Sequence, residues 1–147
     1  MEELIASLKV AHANTFLMYY RALACHWNVV GSDFPEYHAF FNDLYDDLYG
    51  AVDPLAENIR KLNDFPPYSI KELYDHKTVK EASQTYVLTE MLEGLLEDNE
   101  EVIASLNKVF SLASKNNKQG LCNFLADRID THEKHDWMLR VSLKGTK

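Results

Sequence analysis

An all-α fold, a bundle of four long helices, is what this sequence predicts, and three observations carry it. Apolar residues recur at helical spacing in four long stretches, turn-forming residues separate them, and no segment alternates as a strand does. With 147 residues, 46% of them apolar, the chain is long enough to bury a core of its own, and a single domain over residues 1–147 is expected. Only five glycines and four prolines are present, so no stretch is biased toward disorder.

Leu4, Leu8, Phe16, Tyr19, Leu23 and Trp27 mark one buried stripe and predict a first helix from about residue 3 to about residue 30. Gly31-Ser32-Asp33 ends it. Ser32 or Asp33 can cap a second helix, with Pro35 in the first turn, where a missing N–H costs little. Tyr37, Phe41, Leu44, Leu48, Val52, Leu55, Ile59 and Leu62 carry that helix until Asn63-Asp64-Phe65-Pro66-Pro67 stops it. A short helix is expected at about 69–76. A third long helix follows from about 84 to 114, on Val87, Met91, Leu95, Val102, Leu106 and Val109, its acidic run Glu97-Asp98-Asn99-Glu100-Glu101 read as a solvated face. After the turn chemistry of Asn116 to Gly120, Leu121, Leu125, Ile129, Trp137 and Leu139 support a fourth helix to about residue 142. Short first and last connections make antiparallel hairpins, and roughly 20 residues in the middle allow a long crossover carrying the short helix.

The formal charge of −8 disfavours a phosphate-binding surface, and Lys144 and Lys147 are too few to make a basic tail, so cations or basic partners suit the chain better. Cys25 and Cys122 show no Cys-x-x-Cys spacing, and Met1-Glu2-Glu3-Leu4 has neither a basic leader nor an apolar run. A cytoplasmic location is therefore expected. No apolar cluster approaches the roughly 20 residues of a membrane span. Gly-rich phosphate loops, Gly-x-Ser-x-Gly elbows and Glu-x-x-His motifs are all missing from the sequence.

Candidate ligands concentrate on the first two helices: His26, His38, Asp53 and Glu57, with Asn42, Asp43, Asp46 and Asp47 nearby. His26 precedes the first turn by about as many residues as His38 follows it, so an antiparallel hairpin puts both imidazoles at one level. Asp53 and Glu57, four apart, share a helix face at a spacing that lets two carboxylates reach one cation. His38 and Asp53 are 15 positions apart, roughly 22 Å along a helix, and cannot share an ion within one chain. If the two pairs form one site, a second chain must supply half of it, most simply through an antiparallel two-fold dimer with two identical sites. Mixed imidazole and carboxylate donors suit Fe(II), Mn(II) or Zn(II).

Asp53 has a competing reading, as the N-cap of a helix that restarts at Pro54, although a capping box would want Glu where Ala56 stands. His12, His76, His132 and His135 read as core-edge or surface residues, and Asp46 and Asp47 as solvated. Cys25 beside His26 does not make a nucleophile pair, because sequence neighbours on a helix point apart.

The stretch His26-Trp27-Asn28-x-x-Gly31-x-x-Phe34-x-x-x-His38, followed by Asp53-x-x-Ala56-Glu57, resembles the ferroxidase signature of the Dps family of mini-ferritins. Glu133-Lys134-His135-x-Trp137-Met138-Leu139 is similar to the last helix of that family, and the likeness covers nearly the whole chain. The resemblance implies a ferritin-like bundle assembled as a homo-oligomer, a dodecamer of two-fold dimers. It also implies iron sites at dimer interfaces, oxidation of Fe(II) with hydrogen peroxide, ferric iron stored inside the cage, and protection against oxidative stress. His26 and His38 of one subunit with Asp53 and Glu57 of its partner become the implied iron ligands, and Trp27 an aromatic neighbour that intercepts radicals. Asp127 and Asp130 are candidates for an entry pore.

Two departures from the family pattern matter. Asn42 stands where an aspartate is usual, and an amide oxygen is a weaker donor to a hard cation, so weaker or single-ion occupancy is expected, the second iron position being the one affected. The start of the chain is acidic where DNA-coating members carry lysines, so DNA binding is expected to be weak or absent. The alternative function is a helical cage or DNA-condensing assembly whose ferroxidase activity is weakened or lost, with Asn42 as its support.

Overall fold

The computed structural model describes residues 1–144, and Lys147 lies outside them. Its helices are α1 (Glu2–Asn28), α2 (Phe34–Lys61), α3 (Ile70–Asp75), α4 (Leu88–Lys115) and α5 (Gln119–Leu143), and no strand occurs among the described residues. The fold is the all-helical bundle that the sequence predicts. α1 packs against α2 and α4, α4 against α5, and α3 rests on α1 within the crossover. Leu4, Leu8, Phe41, Leu48, Leu55, Leu95, Leu106 and Leu125 are fully buried along the seams.

The turns follow from residue chemistry. Gly31, at φ 115°, makes the tight link between α1 and α2, a conformation that a Cβ would strain. Asn63 and Asn117 both take left-handed backbone past the ends of α2 and α4. There the amides of Asp64 and Lys118 close back on the carbonyls of Ile59 and Ala113, satisfying helix-end acceptors. Ser69 caps α3 by accepting the amide of Glu72 at 3.1 Å, and Glu72 in turn accepts the amide of Tyr68 at 2.8 Å. The crossover is pinned by Asn14 of α1, whose side chain accepts the amides of Thr78 and Val79 and donates to the Thr78 hydroxyl.

Four expectations are corrected. The third long helix begins at Leu88 rather than near residue 84, because the Thr85 hydroxyl accepts the Val87 amide and donates to Glu90, giving the chain a local hydrogen-bonded start. Helix α2 continues unbroken through Pro54, so Asp53 is not a cap. The acidic run of α4 is not wholly solvated, since Asp98 and Asn99 are buried. Nor is Asp47 solvated: Arg128 grips it with both terminal nitrogens, at 2.9 and 3.0 Å, and His135 donates to it at 2.7 Å.

These polar groups tie the bundle together across long sequence separations. Arg21 of α1 donates to the Gly94 carbonyl at 3.1 Å and to Asp98 at 2.9 Å. A Cβ at position 94 would stand 2.5 Å from the Arg21 guanidinium, so glycine leaves room for the arginine to lie across α4, and any side chain there would force the guanidinium to shift. Burial pushes the Asp98 carboxyl above its usual range, and the Arg21 charge offsets that only in part. His132 is fully buried; its Nδ1 donates to Asn99, the Asn99 amide donates to the His132 carbonyl, and its Nε2 accepts Arg128. Burial, reinforced by Arg128 and His135, holds this imidazole well below its ordinary range. Burial would raise the Asp47 carboxyl, but its bonds to His135 and Arg128 outweigh that and hold it well below the carboxylate range. His12 is buried too, its Nδ1 without a partner among the described residues, and burial with His76 nearby lowers it to about 4.

Arg21→Met removes the partner of a buried carboxylate, and urea unfolding at pH 7 should show a loss of about 3 kcal/mol. Asp98→Asn in the same background should recover a large part of it. Because His12 and His132 are held neutral in the fold, their contribution is complete above the unfolded histidine value, near pH 6.5. It is lost as pH falls from there toward the lowered folded values. Stability should therefore drop between pH 6.5 and 5, by up to about 1.4 kcal/mol per pH unit for each histidine. His12→Leu should flatten the slope, and an unchanged slope would assign the loss elsewhere.

Candidate metal centre on the α1–α2 hairpin

The antiparallel pairing of α1 and α2 brings His26 and His38 face to face, their ring centroids 3.8 Å apart and their planes 17° from parallel. Each ring is held by the other residue's backbone: Nδ1 of His26 donates to the His38 carbonyl at 2.8 Å, and Nδ1 of His38 donates to the His26 carbonyl at 2.8 Å. The His26 carbonyl falls in the last turn of α1, where acceptors are left over by the ladder, whereas the His38 carbonyl lies near the start of α2 and takes the imidazole on its second lone pair. A carbonyl can only accept, so each Nδ1 must carry the proton, and each Nε2 keeps a lone pair. That is the tautomer in which an imidazole could ligate a metal ion.

Aromatic side chains wall the pair. Phe34 stacks on His38 at 4.9 Å, and Tyr45 sets its ring at 69° to His26, 5.2 Å away. The Tyr45 hydroxyl donates to Asn42 Oδ1 at 2.9 Å, and the Asn42 amide donates to Asp46 at 3.1 Å. Asn42 is thus engaged on both sides by its own helix. Trp27 is 58% exposed and meets Tyr20 at 6.3 Å, edge to face, on the outer side of α1.

Asp53 and Glu57 lie one turn apart on exposed positions of the same unbroken α2, and nothing among the described residues brings them to the histidines. Among the described residues, no three His, Cys, Asp or Glu side chains gather to hold a metal ion. The histidine pair and the carboxylate pair therefore lie roughly 22 Å apart along α2. Asp127 and Asp130 are exposed on α5. Burial pushes the Cys25 thiol up to about 11, which removes it as a nucleophile. Tyr45 was not legible as a neighbour of the histidines, although its position seven after His38 puts it on the same face of α2.

A family model described as a ferritin-like domain matches residues 5–147. The chain belongs to the ferritin-like family, as a Dps-type mini-ferritin. General stress protein 20U of Bacillus subtilis is 30% identical to this chain over 142 residues, covering 97% of this chain and 98% of its own. DNA protection during starvation protein 2 of Bacillus anthracis is 29% identical over 118 residues, covering 80% and 81%. Among solved structures, the Dps protein of Vibrio cholerae O1, described as a member of a broad superfamily of ferritin-like diiron-carboxylate proteins, superposes with a TM-score of 0.92 at 28% identity. It covers 97% of this mini-ferritin and 89% of its own chain. Dps from Thermosynechococcus elongatus gives 0.93 at 25% identity, covering 97% and 90%. No helix among the described residues is long and apolar enough to cross a membrane.

Proposed function

We propose that this mini-ferritin binds Fe(II) at sites shared between two subunits, oxidises it with hydrogen peroxide and stores the ferric product within a dodecameric cage in the cytoplasm. The observation that carries the reading is the reciprocal clamp on His26 and His38, which offers two lone pairs at a half-site that one chain does not complete. Asp53 and Glu57 of the partner subunit supply the anionic half, and an antiparallel two-fold dimer makes both sites alike. Imidazole nitrogens with carboxylate oxygens fit iron, and the same donors would also take Zn(II) or Mn(II). Iron is the substrate here. The histidines and carboxylates position it, and the carboxylates balance the charge that grows as Fe(II) becomes Fe(III). Removing Fe(II) and peroxide together takes away both ingredients of hydroxyl-radical formation.

Asn42, occupied by Tyr45 and Asp46, supports one iron per site rather than two. The same residue is the ground for the second reading, a cage or DNA-condensing assembly with reduced ferroxidase activity. The charge of −8 speaks against the DNA-condensing part of it.

Subunits carrying His26→Ala and His38→Ala should oxidise no iron above background, and neither should subunits carrying Asp53→Ala and Glu57→Ala. Refolded together in equal amounts, they should regain about a quarter of wild-type rate, because half the dimers are mixed and each mixed dimer has one intact site. A mixture that stays inactive would defeat the shared site. Asn42→Asp should raise bound Fe(II) from about one to about two per site in anaerobic titration. Unchanged stoichiometry would remove Asn42 as the cause of single occupancy.

A further inference from the structure

Beyond the ligands, the hairpin carries a run of phenols in ring-to-ring contact. From His26 the step to Tyr45 is 5.2 Å between centroids, from Tyr45 to Tyr19 it is 6.3 Å, and from Tyr19 to Tyr49 it is 5.3 Å. Tyr45 and Tyr19 are half-buried, whereas Tyr49 is 64% exposed. Phe16 also touches Tyr19, at 5.8 Å, but lacks a hydroxyl and closes that branch. Ring packing alone does not explain why one end of this run abuts a histidine of the half-site and the other lies bare on the surface.

Tyr49 stands four residues before Asp53 and eight before Glu57, on the stripe of α2 that carries the carboxylate half-site. If Asp53 and Glu57 meet the partner's His38, the two-fold axis crosses α2 midway between residue 38 and residues 53 to 57, at about residue 46. Tyr49 then lies within about one helical turn of the axis, and the partner's Tyr49 stands level with about residue 43, roughly 9 Å farther along α2. The run extends from one iron site to the point where the two subunits meet.

We infer that Tyr45, Tyr19 and Tyr49 form a relay that carries one electron between the two iron sites of a dimer. This rests on the ferroxidase reading and on single-iron occupancy. Reducing peroxide to water takes two electrons, and one Fe(II) gives one. In the first half of the reaction, Fe(II), hydrogen peroxide, the Tyr45 phenol and one proton yield Fe(III), two waters and a neutral Tyr45 radical. The O–O bond breaks, one electron comes from iron, and the second leaves Tyr45 together with its phenolic proton. In the second half the vacancy passes through Tyr19 and Tyr49 to the partner's run, where Fe(II) of the second site fills it. Tyr45 takes back a proton from solvent, and that site becomes Fe(III). The sum is two Fe(II), one peroxide and two protons giving two Fe(III) and two waters, with no one-electron product of peroxide released.

The test uses the assembled protein loaded anaerobically with one Fe(II) per site and mixed with one hydrogen peroxide per dimer, followed by ferric absorbance, freeze-quench electron paramagnetic resonance and a hydroxyl-radical spin trap. Wild type should oxidise both irons in one fast phase and keep no radical. Tyr19→Phe preserves the ring but not the readily oxidised phenol. It should bind the same Fe(II), oxidise about half of it promptly and the rest slowly, and accumulate a tyrosyl signal that adding Tyr45→Phe abolishes. Tyr45→Phe alone should raise the spin-trap adduct several-fold. The relay is overturned if Tyr19→Phe oxidises both irons in a single phase without a tyrosyl signal, or if Tyr45→Phe leaves the adduct at the wild-type level. Wild type that binds or oxidises no Fe(II) would overturn the ferroxidase reading and the relay with it.

Discussion

The register of the α1–α2 hairpin is the constraint on which the rest depends. Two helices joined by a turn at Gly31 must pair antiparallel, and that pairing sets His26 opposite His38. Once opposite, each ring has a carbonyl of the other residue within 2.8 Å, and the histidines define each other's tautomer without help from any third side chain. A slip of one residue would rotate one imidazole by about 100° and break both bonds together. The hairpin turn, the clamp and the orientation of the donor nitrogens are therefore one feature.

The same geometry separates what a metal would need. An unbroken α2 fixes the distance from His38 to Asp53, so the histidine pair and the carboxylate pair, the two halves of the proposed site, cannot close on each other within one chain. Self-complementary halves favour a two-fold arrangement, in which one set of contacts is used twice. On the proposed shared site, the unit of chemistry is larger than the unit of folding.

The four stripes, the short crossover helix and the turns were legible because each depends on neighbours within a few residues: helical period, Gly31, Asn63, Asn117 and Ser69. The level of His26 with His38 was legible too, since it needs only a turn and a pitch. What escaped depends on partners far along the chain. Asp98 and Asn99 read as solvent-facing within their acidic run, yet Arg21 and His132, 77 and 33 positions away, draw them into the core. Asp47 looked like one more surface carboxylate until α5 brought Arg128 and His135 to it. Asp53-Pro54 has the local signature of a helix start, and packing of Leu55 and Ile59 in the core overrides it. Asn42 was noticed for the carboxylate it lacks; that Tyr45 occupies its oxygen comes from a side-chain orientation the spacing does not give.

Gly94 has a bearing on how this sequence can drift. Alanine is intrinsically better than glycine inside a helix by about 1 kcal/mol, yet here its methyl would strike the Arg21 guanidinium. The outcome of that substitution depends on residue 21: the guanidinium must give way while the arginine is there, and nothing opposes the methyl if a short apolar residue replaces it and Asp98 changes to a neutral one. Positions 21, 94 and 98 are thus coupled, and the effect of changing any one of them depends on the other two.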